Sequence, residues 1–92
     1  MATINLKTAS GNIAQNQFVV TDGTMFTLHS YKSVICVYHR PSATIVVDEK
    51  WDYSATTRKY FYQFLREYTG HNVRSKQDFL RLVKTNDLVT II

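Results

Sequence analysis

Asp48-Glu49-Lys50-Trp51-Asp52-Tyr53-Ser54-Ala55-Thr56-Thr57-Arg58-Lys59-Tyr60-Phe61-Tyr62-Gln63-Phe64-Leu65-Arg66-Glu67-Tyr68 is the stretch at which this chain changes character. Before it, apolar residues come in short β-branched runs; within it they recur at helical spacing. Ser54 is a good N-cap, because its hydroxyl can accept from a backbone N–H of the first turn. No Gly or Pro follows until Gly70, and Phe61, Phe64, Leu65 and Tyr68 stand at i, i+3, i+4 and i+7. That is the stripe of an amphipathic helix, and it predicts one from about Ala55 to Tyr68, ended by Gly70. Trp51, just ahead of the cap, sits where a hydrophobic staple packs.

Toward the N-terminus the pattern is that of strands. Phe18-Val19-Val20 and Met25-Phe26-Thr27-Leu28 flank Thr21-Asp22-Gly23-Thr24, and Asp-Gly between apolar runs signals a hairpin. Val34 to Tyr38 is continuously apolar, as in a strand buried on both faces. His39-Arg40-Pro41-Ser42 reads as a turn and Thr44-Ile45-Val46-Val47 as the returning strand. Ile4 to Lys7 suggests a further short strand, and the polar segment Gly11 to Gln17 a loop. Toward the C-terminus, Ser75 with Asp78 three residues on is a weak capping box. It opens a second helix over about Lys76 to Thr85 that buries Phe79, Leu82 and Val83. Leu88 to Ile92 is a last strand, able to pair within the sheet or across a homodimer. The expected fold is α+β, a small antiparallel sheet of four to five strands with two helices packed on one face. Residues 1–92 form a single domain, with no linker or repeat dividing them.

Composition bounds the function. One cysteine, Cys36, lies inside an apolar run and cannot form an internal disulfide, which suits a reduced, intracellular protein. Nothing at the start resembles a secretion signal, and no apolar run approaches about 18 residues, so no membrane segment is expected. The net charge is +4. Up to Thr57, Lys7, Lys32, Arg40 and Lys50 cancel Asp22, Asp48, Glu49 and Asp52. From Arg58 onward, Arg58, Lys59, Arg66, Arg74, Lys76, Arg81 and Lys84 face only Glu67, Asp78 and Asp87. The whole excess is therefore C-terminal, and it favours acidic partners.

Covalent chemistry has little to work with. His29, His39, His71 and Cys36 are scattered without the pair spacing of a metal site. Asp48, Glu49 and Asp52 offer too few oxygens for a hard cation and read as a turn placing negative charge near a helix start. There is no phosphate-cradling Gly-rich loop, no nucleophile elbow and no zinc-protease pair, so neither an enzyme nor a cofactor is expected. The better signal is Arg58, Tyr62 and Arg66 at i, i+4 and i+8, one face of the first helix, with Lys59 beside them. Arg and Tyr dominate protein interfaces, and the same groups suit phosphate contact with base stacking. With Arg74 and Lys76 of the second basic segment they form the expected partner-binding set.

Trp51-Asp52-Tyr53-Ser54-Ala55-Thr56-Thr57-Arg58-Lys59-Tyr60, followed by Gln63-Phe64-Leu65 and preceded by Ser30-Tyr31-Lys32-Ser33-Val34-Ile35, resembles a family of small bacteriophage proteins of unknown function. The likeness runs from about Leu28 to Leu65. It implies an accessory factor in the host cytoplasm that binds a host protein or ribonucleoprotein effector and antagonises a bacterial defence complex, as anti-CRISPR inhibitors do. The chain departs from the nucleic-acid mimics among such inhibitors, because it is basic where they must be acidic. The alternative is a small nucleic-acid-binding accessory module using the same basic helix face.

Overall fold

The Asp22-Gly23 turn closes as its residues require. Asp22 Oδ1 accepts from the Thr24 and Met25 backbone N–H at 2.9 and 2.8 Å, and Gly23 takes φ +92°, open to glycine at little cost. In the computed structural model, which describes residues 1–92, the strands are β1 (Ala2–Lys7), β2 (Ile13–Thr21), β3 (Met25–Ser30), β4 (Ser33–His39), β5 (Thr44–Val47) and β6 (Val89–Ile91). They lie in that order in one sheet, antiparallel except for β5 and β6. Helices α1 (Ala55–Phe64) and α2 (Lys76–Thr85) both belong to the crossover between those two strands. Such a crossover is what a parallel pairing needs. The fold is α+β as expected, but the sheet has six strands and is mixed. No helix is long and apolar enough to cross a membrane.

Strand register explains the core. One row across the sheet runs Val19, Leu28, Cys36, Val47 and Ile91; the next runs Thr21, Phe26, Tyr38, Ile45 and Val89. Val19, Leu28, Cys36 and Val47 are at most 1% exposed. Burial pushes the Cys36 thiol well above its ordinary value, leaving a protonated, inert side chain. A third row is polar: Gln17 opposite Ser30, with Ser30 Oγ 3.1 Å from Thr57 Oγ1 in the first turn of α1.

The structure departs from three local expectations. The supposed loop Gly11 to Gln17 contains the start of β2. The register jumps there from Asn5–Phe18 to Lys7–Ile13, and Asn16 sits at φ +64°, so a bulge carries the polar residues. Val34 to Tyr38 is not buried on both faces; Val34 is 42% exposed. Ile35 and Cys36 are consecutively buried because the pairing shifts between Leu28 and His29, leaving Ile35 as the extra residue. Finally, the first helix is α-helical only to Phe64. Leu65–Thr69 winds as a π turn before Gly70 ends it at φ +79°.

The helices hold to the sheet by aromatic packing. Ser54 caps α1 by accepting from Thr57 N at 3.1 Å, and Ser75 caps α2 by accepting from Asp78 N at 3.2 Å. Trp51 belongs to a 3₁₀ turn, Glu49–Asp52, rather than to a staple. Its ring lies 5.8 Å from Phe61 and 4.6 Å from Phe79, which are themselves 4.9 Å apart and edge-on. Both phenylalanines are fully buried. Truncating such a ring loses its transfer energy and leaves a cavity, about 3–5 kcal/mol. Phe79→Ala is therefore expected to lower the unfolding free energy in urea by about that amount, against a total of roughly 5–15 kcal/mol for a domain. A loss below about 1 kcal/mol would contradict this packing.

Candidate functional site

Rotation of α1 decides what its outer side offers. With Phe61, Phe64 and Leu65 fully buried, the opposite side carries Arg58, Lys59 and Arg66. They line a shallow depression of about 350 Å³ together with Ala55, Tyr62 and Arg74. The π turn swings Arg66 so that its Nη1 donates to Val73 O at 2.7 Å. That bond draws the loop after Gly70 back along the helix and brings Arg74 to the same rim. Four cations thus border one hollow, and no carboxylate lines it.

Of the six residues expected to contact a partner, Arg58, Lys59, Tyr62, Arg66 and Arg74 converge here. Lys76 does not. Its ammonium sits 2.9 Å from Asp52 Oδ2 and 5.8 Å from the centre of the Trp51 ring. Lys59 forms no ion pair with the acidic turn; it lies 5.4 Å from the Tyr60 ring centre. Asp48 is used as the cap of the 3₁₀ turn, accepting from Lys50 N at 2.9 Å. Tyr62 is the correction. Helical spacing places it on the wet side with Arg58 and Arg66, yet it is only 7% exposed. Its ring packs 5.9 Å from Phe61, and its hydroxyl is sealed from water with no hydrogen-bond partner. The buried side of α1 is thus wider than the Phe61, Phe64 and Leu65 stripe, taking in Tyr60 and Tyr62 as well.

The electrostatics rest on Asp52, which the sequence pattern offers only as one charge of an acidic turn near a helix start. Asp52 accepts from Arg58 Nη1 at 2.7 Å and from Lys76 Nζ at 2.9 Å, bridging the starts of the two helices. No spacing rule finds that triad, because its members are brought together only by tertiary folding. Lys76 first, then Arg58, hold the Asp52 carboxyl below its ordinary value of 3.8. Tyr62 moves the other way: burial raises its phenol, partly opposed by Arg58, so it stays a neutral donor. No group of three or more His, Cys, Asp or Glu side chains converges to hold a metal.

A depressed carboxyl pKa contributes stability that is complete above the ordinary value and lost as pH falls through the lowered one. Asp52→Asn is therefore expected to melt below the wild type at neutral pH. The gap should narrow as pH drops below 3.8. Paired thermal melts across pH check this; a gap independent of pH would contradict it.

Comparison with known proteins identifies a family and no activity. No curated protein matches the chain, and no solved structure does. A family model described as a family of unknown function, DUF8033, matches residues 1–81, which take in β1 through most of α2 and every residue of the cationic depression. With most of its length so matched, the chain belongs to the family of unknown function DUF8033.

Proposed function

We propose that the protein works without covalent chemistry, as a binding protein that sets the cationic depression of α1 against an acidic surface of a partner. The observation that carries this is the convergence of Arg58, Lys59, Arg66 and Arg74 on one carboxylate-free hollow over the unpartnered Tyr62 hydroxyl. Arg58 is held by Asp52, but Lys59, Arg66 and Arg74 are in no ion pair and, crowded together, repel one another, and a buried donor without an acceptor costs about 1–3 kcal/mol. An oxyanion seated there relieves both. Contact with the phenol requires neighbouring side chains to move on binding, because its hydroxyl is sealed in the free protein.

The finer reading joins this contact to the phage-family resemblance. The partner is then a host protein or ribonucleoprotein effector, and occupying its acidic surface antagonises a bacterial defence complex in the anti-CRISPR manner. Contact at a groove that normally holds nucleic acid is disfavoured, since such a groove is basic like this protein. An acidic face is the complementary one. The second reading keeps the same residues but makes the partner nucleic acid, with phosphates in the hollow.

The test is plasmid interference in a strain with an active CRISPR system expressing this protein. Wild type is expected to restore transformation, and the double variant Lys59→Glu with Arg74→Glu to lose that effect while folding normally. Tyr62→Phe removes the unpartnered hydroxyl and is expected to melt no lower than wild type but to antagonise less well. Full interference in the presence of wild type would sink the antagonist reading. Oligonucleotide binding that is absent at low salt would dispose of the nucleic-acid reading, because phosphate contacts weaken steeply as salt rises.

A further inference from the structure

The polar row Gln17–Ser30 ends in a second hollow that the α1 surface does not use. It is a cleft of about 670 Å³ between the β3–β4 turn and the start of α1, inside the roughly 300–1,000 Å³ range of small-molecule sites. Its floor is a chain of hydroxyls. Ser54 Oγ donates to Thr57 Oγ1 at 3.1 Å, and Thr57 Oγ1 lies 3.1 Å from Ser30 Oγ. Three hydroxyls carry three hydrogens, and these two bonds use two of them. One O–H, on Ser30 or Thr57, is left without an acceptor, although those residues are only 3% and 1% exposed. Opposite Ser30 in the register, the Gln17 carboxamide is 1% exposed with neither end bonded.

The walls add two features. Tyr31 and Tyr53 offer rings that are 49% and 78% exposed. Lys32 and Lys50 bring ammonium groups, neither of which is in an ion pair, and no carboxylate lines the cleft. The backbone is strained here as well. Tyr31 holds φ +57° while Lys32 after it does not, the sign pattern of a II′ turn whose first central position suits glycine. Its N–H donates to the carbonyl of Asn16 at 2.7 Å, and Asn16 is itself at φ +64°. Two non-glycine residues in the left-handed region beside one cleft are strain of the kind that collects at binding sites. Glycine would close this turn more easily and would lack only the ring.

We propose that this cleft binds a small ligand in which a flat ring is joined to a phosphate, of the nucleoside monophosphate class. The ring stacks on the tyrosines, the phosphate lies between Lys32 and Lys50, and the spare hydroxyl donates to a ligand acceptor. Calorimetric titration of the full chain with AMP, UMP, adenosine and inorganic phosphate tests it. At least one monophosphate is expected to bind saturably, with adenosine and phosphate each about tenfold weaker or more, the loss of one stacking or charge contact. Tyr31→Gly is expected to melt at or above the wild-type temperature and yet bind about tenfold more weakly. Tyr53→Ala, at a largely exposed position, should weaken binding similarly, whereas Arg74→Glu, in the other hollow, should leave it unchanged. The proposal is overturned if neither monophosphate saturates, if adenosine or phosphate alone binds as well, or if Tyr31→Gly or Tyr53→Ala binds like wild type. Loss of binding in Arg74→Glu would overturn it too.

Discussion

The contact of Phe61 with Trp51 and Phe79 fixes the molecule, because three separate segments meet in it: the 3₁₀ turn, α1 and α2. Removing one of these rings costs about 3–5 kcal/mol, whereas the ion pairs beside them involve side chains about a third or more exposed, where solvent screens the attraction. Packing therefore sets the rotation of α1, and Asp52 finds Arg58 and Lys76 within reach as a result. Once Phe61, Phe64 and Leu65 face the sheet, Arg58, Lys59 and Arg66 have only the outer side to occupy. The cationic hollow is a consequence of how the core is filled.

Much of this was legible in the sequence. The Asp22-Gly23 hairpin, the Ser54 and Ser75 caps and the second helix at Lys76–Thr85 follow from short-range chemistry and appear where local rules put them. What escaped was set by tertiary contact. The bulge at Asn16 hides a strand inside a polar segment, and the bulge at Ile35 mimics burial on two faces. Tyr62 keeps its helical position but is buried beside Phe61 instead of facing water. The Asp52 bridge spans sequence distances that no periodicity encodes. The grouping of Arg58, Lys59, Tyr62, Arg66 and Arg74 was readable because four of them share one helix and its continuation; the exclusion of Lys76 was not.

Two of the places where the chain runs against local preference adjoin a hollow. The Tyr62 hydroxyl is buried with nothing to donate to, and Tyr31 occupies a backbone position that favours glycine. A sequence consistent at every level would carry Phe at one and Gly at the other. Departures of this kind are where function and stability pull apart. Tyr62→Phe removes a sealed, unpartnered hydroxyl beside one hollow, and Tyr31→Gly removes an exposed ring at the wall of the other.

Whether the outer side of α1 is one anion site or four independent charges is answered most directly by NMR of the arginine Nε–H groups during a sulfate titration. A single site predicts that the Arg58, Arg66 and Arg74 signals shift together and saturate at a common concentration, while those of Arg40 and Arg81 drift weakly without saturating. Equal, unsaturating drift of all five arginines would mean that the cations only share a neighbourhood, and the binding-protein reading would lose its contact surface.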